Sequence, residues 1–117
     1  HVSDIVQGII AALDQPAQAD PNWKGSAPKM ESSSAPFRVY HLGRGKPVSL
    51  MAAVKQLESA LGVEAKKNLM PMQPGDVKDT FAEITAAQED LGFAPTVDLE
   101  EGILDFVRWY KEYKGII

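Results

Sequence analysis

The sequence predicts a small, helix-rich mixed α/β lobe of about four helices and two or three short strands. Three observations carry that expectation. Apolar residues recur at helical spacing in several stretches, two short extended runs bracket one of those stretches, and Pro- and Ser-rich segments separate the rest.

From Asp4 to Asp14, the residues Ile5, Val6, Ile9, Ile10 and Leu13 follow helical spacing, with Ser3 or Asp4 available to cap the first turn. The stretch from Gln15 to Pro36 holds four of the eight prolines and the run Ser32-Ser33-Ser34, so it is expected to be one long loop, functional or disordered. Phe37 to Leu42 reads as a short strand, closed by Gly43-Arg44-Gly45-Lys46-Pro47. A second helix is expected behind a Ser49 cap, with Leu50, Met51, Val54, Leu57 and Leu61 on one face and Gly62 beyond its end. Val63 to Met70 is a further extended candidate, which suggests two parallel strands with a crossover helix. Thr85 with Gln88 has the spacing of a capping box for a short helix that Gly92 stops. Asp98 with Glu101 repeats the device for a last helix. Its expected core face is Leu99, Ile103, Phe106, Val107 and Tyr110, with Trp109 and Tyr113 starting a second strip.

The 117 residues, 44% hydrophobic and 24% charged, have the make-up of one globular domain. The absence of cysteine excludes thiolate zinc sites, redox pairs, thiol catalysis and disulfide frameworks. A net charge of -4 without a basic patch argues against nucleic acid as a partner. No apolar run reaches the ~18 residues of a membrane span, and no signal-peptide pattern opens the chain, so no membrane partner and a cytoplasmic location are expected. The chain opens on His1 and enters a helix almost at once, which reads as a fragment of a longer protein.

Most apparent motifs fail on context. Tyr110 and Lys114 have the spacing of a Tyr-x-x-x-Lys dyad, but they lie in the last turns of a terminal helix and Tyr110 is assigned to the core face, so no catalytic residue is expected in this chain. Gly43-Arg44-Gly45-Lys46 lacks both the first glycine and the Ser or Thr of a phosphate loop. His1 and His41 are too few and too distant for a metal site. Trp23, in a polar loop, reads as a plug pinning that loop or as a stacking residue. Gln73-Pro74-Gly75-Asp76 is more informative: Pro-Gly suits the centre of a type II turn, which draws an amide and a carboxylate onto one small surface. A carboxylate can accept hydrogen bonds from vicinal hydroxyls, as acidic residues do for ribose in dinucleotide folds.

Taken together, five segments resemble the extended short-chain dehydrogenase/reductase family. They are His1-Val2-Ser3-Asp4-Ile5, Asp20-Pro21-Asn22-Trp23, Ala35-Pro36-Phe37-Arg38-Val39-Tyr40, Leu69 through Val77, and Leu99-Glu100-Glu101-Gly102-Ile103. From His1 to about Tyr113 the chain is similar to the C-terminal part of the NAD-dependent nucleotide-sugar epimerases, in particular the UDP-glucuronate 4-epimerase branch.

The resemblance implies that residues 1–117 form the substrate-binding lobe of an NAD-dependent 4-epimerase whose Rossmann lobe, with NAD and the catalytic Tyr and Lys, is absent here. The partners it implies are that lobe, a UDP-sugar (UDP-glucuronate or UDP-galacturonate) and, in the full-length protein, a homodimer. The isolated chain is then expected to be inactive and to hold no cofactor. By match to the family pattern, Asp76 is the candidate for the uridine ribose hydroxyls and Gln73 stands where many relatives place an Arg against the diphosphate. A neutral amide offers hydrogen bonds without compensating charge, so the phosphates need a cation from elsewhere. Asp4 matches the family's Val-x-Asp motif too, but helix capping explains it just as well, and Glu83 stands where relatives often carry Asp, a conservative swap. Two other readings stay open: a free-standing binding module, and the lobe of a related nucleotide-sugar dehydratase or decarboxylase.

Overall fold

A computed structural model describes residues 1–116 as four helices, α1 (Val2–Asp14), α2 (Leu50–Leu61), α3 (Thr85–Leu91) and α4 (Leu99–Lys114). The chain divides into two interleaved compact units. One comprises His1, Lys46–Thr80 and Val97–Ile117, and the other Val2–Gly45 and Phe81–Thr96.

In the unit built on α1 and α3, the core gathers around Ala87, Leu91 and Phe93, all buried. Gly8 lets α1 approach this core: a Cβ there would lie 2.8 Å from the Leu42 methyls and 3.1 Å from Phe93. The carboxylate of Asp4, only 2% exposed, accepts from the Thr96 backbone N–H (3.1 Å) and hydroxyl (3.2 Å), joining the two chain segments of the unit. Asp4 is therefore a buried tether inside the first turn of a helix that begins two residues earlier than the spacing suggested. The inward side of α1 is Asp4 and Gly8, while Val2, Val6, Ile9, Ile10 and Leu13 stand outward at 46–74% exposure.

The segment 15–40 has no helix, yet polar bonds order it. Asp20 accepts from the Asn22 N–H (2.9 Å) and from the hydroxyl of buried Ser32 (2.9 Å), and its own N–H donates to the Ser33 carbonyl (2.8 Å). Trp23 donates its indole N–H to the Lys29 carbonyl at 3.4 Å, closing the loop on itself.

In the other unit, α2 packs on α4. Ser49 caps α2 as its sequence position suggests, accepting from the Ala52 N–H at 3.2 Å, and Gly62 ends it at φ 73°. Val107 of α4 is buried, but Phe106 and Tyr110, assigned to the core by spacing, are exposed. They join Trp109 and Tyr113 in one outward aromatic ladder, with ring centroids 5.3 to 6.1 Å apart. Glu100 and Glu101 in the first turn and Lys111 and Lys114 in the last complement the α4 dipole.

Two local expectations are corrected. The extended runs Phe37–Leu42 and Val63–Met70 do not pair into strands: among the described residues the only bridges are Lys24 with Ala27 and Ser32 with Arg38. Apolar, β-branched residues favour extended backbone, but a strand also needs a neighbouring backbone to pair with, and here only isolated N–H groups such as that of Val39, bonded to Glu31 at 3.0 Å, find one. The capping boxes also differ from the pattern. Thr85 already lies inside α3 and its N–H is taken by the Glu83 carboxylate (2.9 Å), while Asp98 has cap backbone geometry without a side-chain cap bond.

Candidate functional site

The Gln73–Asp76 turn forms as its residue types require. The Asp76 N–H donates to the Gln73 carbonyl (3.2 Å) and Gly75 sits at φ 87°, the positive value that the third position of a type II turn demands. Nothing lies within 4 Å of a Cβ built on Gly75, so only the backbone conformation calls for glycine there. Both site residues are exposed, as is the whole run 62–81 that carries them. Asp76 Oδ1 accepts from the Val77 N–H at 2.9 Å, which restrains the carboxylate. The turn thus presents an oriented anionic acceptor beside a neutral amide. This suits a ligand with hydroxyl donors and gives no charge of its own to a phosphate.

The other unit holds an open cleft of about 480 Å³ whose lining includes Lys29, Arg38, Tyr40, Asp20 and Asp90. Arg38 forms an ion pair with Asp90, its Nε donating at 3.0 Å, and the Tyr40 hydroxyl donates to the same oxygen at 3.1 Å. The guanidinium also lies 5.8 Å from the Tyr40 ring centre. The Arg38 hydrogen bond holds the Asp90 carboxyl below its ordinary range, with Tyr40 adding to the effect and burial opposing it. Asp20 is likewise lowered, first by the Asn22 N–H and then by the Ser32 hydroxyl, with Lys29 a smaller contributor. Arg38, Asp90 and Tyr40 satisfy one another and Asn22 and Ser32 satisfy Asp20, so these side chains form fixed polar networks in the cleft wall.

The remaining candidates fall away. Tyr110 stacks on Phe106, and Lys114 lies 5.3 Å from the Tyr113 ring centre, so the Tyr-x-x-x-Lys pair belongs to the exposed aromatic ladder. The Gly43–Gly45 turn is closely packed: a Cβ on Gly43 would come within 2.6 Å of Ala82, and one on Gly45 within 2.9 Å of Ile84. It is a packing element, not a phosphate cradle. Among the described residues no group of three His, Asp or Glu could hold a metal, and no helix is long and apolar enough to cross a membrane. Glu83 is held low mainly by Thr85, with His41 nearby.

Sequence reasoning missed the Arg38–Asp90–Tyr40 cluster. Arg38 and Tyr40 are two apart, the spacing that puts side chains of an extended segment on one side. Asp90 is 52 residues away from Arg38, and nothing local announces it.

Comparison with known proteins places this geometry in context. No protein-family model matches the chain. It is 44% identical over 114 residues to UDP-glucuronate 4-epimerase 4 of Arabidopsis thaliana, covering 97% of this chain and 25% of that protein. It is 42% identical over 113 residues to Protein CapI of Staphylococcus aureus, covering 97% and 34% respectively. A probable UDP-glucuronate 4-epimerase of Rhizobium meliloti is 38% identical over 113 residues, covering 96% and 33%. The chain therefore spans a quarter to a third of the length of the relatives it matches. In structure it is similar to the UDP-glucose 4-epimerase of Bifidobacterium longum, solved in complex with NAD+ and UDP. The TM-score is 0.73 at 21% identity, covering all of this chain and 30% of that one.

Proposed function

From the premise that this chain is a homologue of the UDP-glucuronate 4-epimerases, matching a segment of them over nearly its whole length, we propose that it is the UDP-sugar-binding lobe of an NAD-dependent nucleotide-sugar 4-epimerase, with UDP-glucuronate and UDP-galacturonate as the exchanged sugars. The observation that carries this reading is the coincidence of that similarity with a type II turn presenting Gln73 and Asp76 together. Asp76 accepts from the ribose hydroxyls through a carboxylate already oriented by the Val77 N–H, and Gln73 donates its amide N–H to the diphosphate.

The residues of this chain do not fit NAD. The sequence has no G-x-G-x-x-G turn opening a helix, and Tyr110 stacks on Phe106 while the Lys114 ammonium lies over the Tyr113 ring. Cofactor and redox chemistry therefore fall to the portion that relatives carry outside the match, and this chain's part is to bind and orient the nucleotide. The exposed apolar faces of α1 and of the 62–81 run favour a lobe over a free-standing module, whose surface would be covered.

The test is a chimaera in which this chain replaces the matching third of the Rhizobium meliloti relative, assayed for interconversion of UDP-glucuronate and UDP-galacturonate. Asp76→Ala is expected to weaken UDP-sugar binding by roughly 10- to 100-fold, the worth of charge-assisted hydrogen bonds, with unfolding unchanged. Unchanged binding with a large loss of stability, or turnover by the isolated chain supplied with NAD, would overturn the reading.

A further inference from the structure

Helix α1 is amphipathic, yet it faces the wrong way for a helix that is complete in this unit. Val2, Val6, Ile9 and Leu13 fall within one narrow sector of the helical wheel and Ile10 flanks it, a stripe as apolar as any in the chain. All five point outward, while the inward side holds a carboxylate and a glycine. Between Val2 and Leu13 the only charged residue is Asp4, and it is buried, so the outward stripe carries no charge until the exposed Asp14 at the last position of α1. Solvated helix faces are polar and charged, and contiguous branched aliphatics on a surface mark a contact. The aromatic ladder of α4 differs, because Arg108, Lys111, Glu112 and Lys114 are interspersed along that helix.

What covers the stripe follows from the lengths. The relatives are three to four times longer than the segment they share with this chain, and the solved epimerase of the same fold devotes 70% of its chain to structure outside the match. We propose that the outward stripe of α1 is the seam on which that remaining portion of the epimerase packs, through an apolar and uncharged surface of its own. This rests on the reading of the chain as one lobe of a longer epimerase. A second copy of this chain is the competing occupant, and the experiment separates the two.

The paired substitution Val6→Lys with Ile9→Lys is introduced into the isolated chain and into the chimaera described above, with Gln7→Lys, exposed and off the stripe, as the control. The pair is expected to lower the unfolding midpoint of the chimaera by about 5 °C or more while shifting the isolated chain by less than about 2 °C. Gln7→Lys is expected to change neither. A chimaera midpoint that ignores the pair overturns the seam, as does an equal fall in the isolated chain. So does a concentration-dependent dimer of the isolated chain, seen by sedimentation, that the pair dissociates while the chimaera is unaffected. If the chimaera does not accumulate as one polypeptide, the two portions are co-expressed and their co-purification is compared with and without the pair. Loss of co-purification supports the seam and its persistence overturns it. Activity reports separately on the underlying reading: an inactive chimaera that the pair still destabilises sinks the epimerase assignment and keeps the seam. An active chimaera indifferent to the pair does the reverse.

Discussion

Replacing Asp4 with Ala removes a carboxylate that is 2% exposed and that accepts two hydrogen bonds from Thr96, 92 residues away in sequence. Each hydrogen bond to a charged group contributes about 1.5–3 kcal/mol, but Thr96 lies on an exposed segment, so water can re-satisfy its N–H and hydroxyl once the carboxylate is gone. The buried charge also carries a desolvation penalty that its removal relieves. Weighing these, the expected loss is about 2 kcal/mol, below the roughly 3–6 kcal/mol that two such bonds would sum to. With a urea slope of about 1–3 kcal/mol/M for a small protein, this lowers the midpoint by roughly 1 M. The assay is urea unfolding followed by Trp23 fluorescence in a Trp109→Phe background, so that the signal comes from the unit containing α1. Asp4→Asn, which keeps the size and one acceptor, is expected to lose about half as much, and Thr96→Val isolates the hydroxyl at about 1 kcal/mol. In the double mutant Asp4→Ala with Thr96→Val the losses should be clearly non-additive. A midpoint for Asp4→Ala at or above that of the parent, or additive losses in the double mutant, would refute the tether.

Two further outcomes are expected. Asp90 has its folded-state pKa lowered from the ordinary 3.8, chiefly by Arg38, so its contribution is complete above that value and is lost as the pH falls through and below it. Arg38→Met should therefore destabilise by about 1 kcal/mol at pH 7, the scale of a partly exposed pair, and the gap should close as the pH falls below 3.8, as read by unfolding midpoints across pH. Gly75→Ala places a side chain at φ 87° in open space, so it should distort the Gln73–Asp76 turn without a clash. Nucleotide-sugar binding by the chimaera should fall while the overall unfolding midpoint moves by only about 1–2 kcal/mol equivalent.

Much of this molecule is legible locally. The Ser49 cap, the glycine stops at Gly62 and Gly92, and the Pro74-Gly75 turn depend on backbone groups within a few residues, and each forms as its chemistry requires. The similarity of the five segments is likewise local information, and it leads to the same family as the comparisons. The Phe37–Leu42 and Val63–Met70 runs failed as strands because pairing depends on a second backbone that composition does not reveal.

The sequence by itself determined where the helices lie, which side of each is apolar, and that an amide and a carboxylate share one turn. These follow from periodicity, caps and short-range hydrogen bonds, all fixed within about one or two turns of chain. Only the tertiary structure decided which way those helices face. It turned Asp4 and Gly8 of α1 inward and the aliphatic stripe outward, set Phe106 and Tyr110 in an exposed ladder, and brought Asp90 to Arg38. Amphipathicity tells a helix which side to bury but not against what, and a contact between residues 52 apart exists only once the chain has closed on itself.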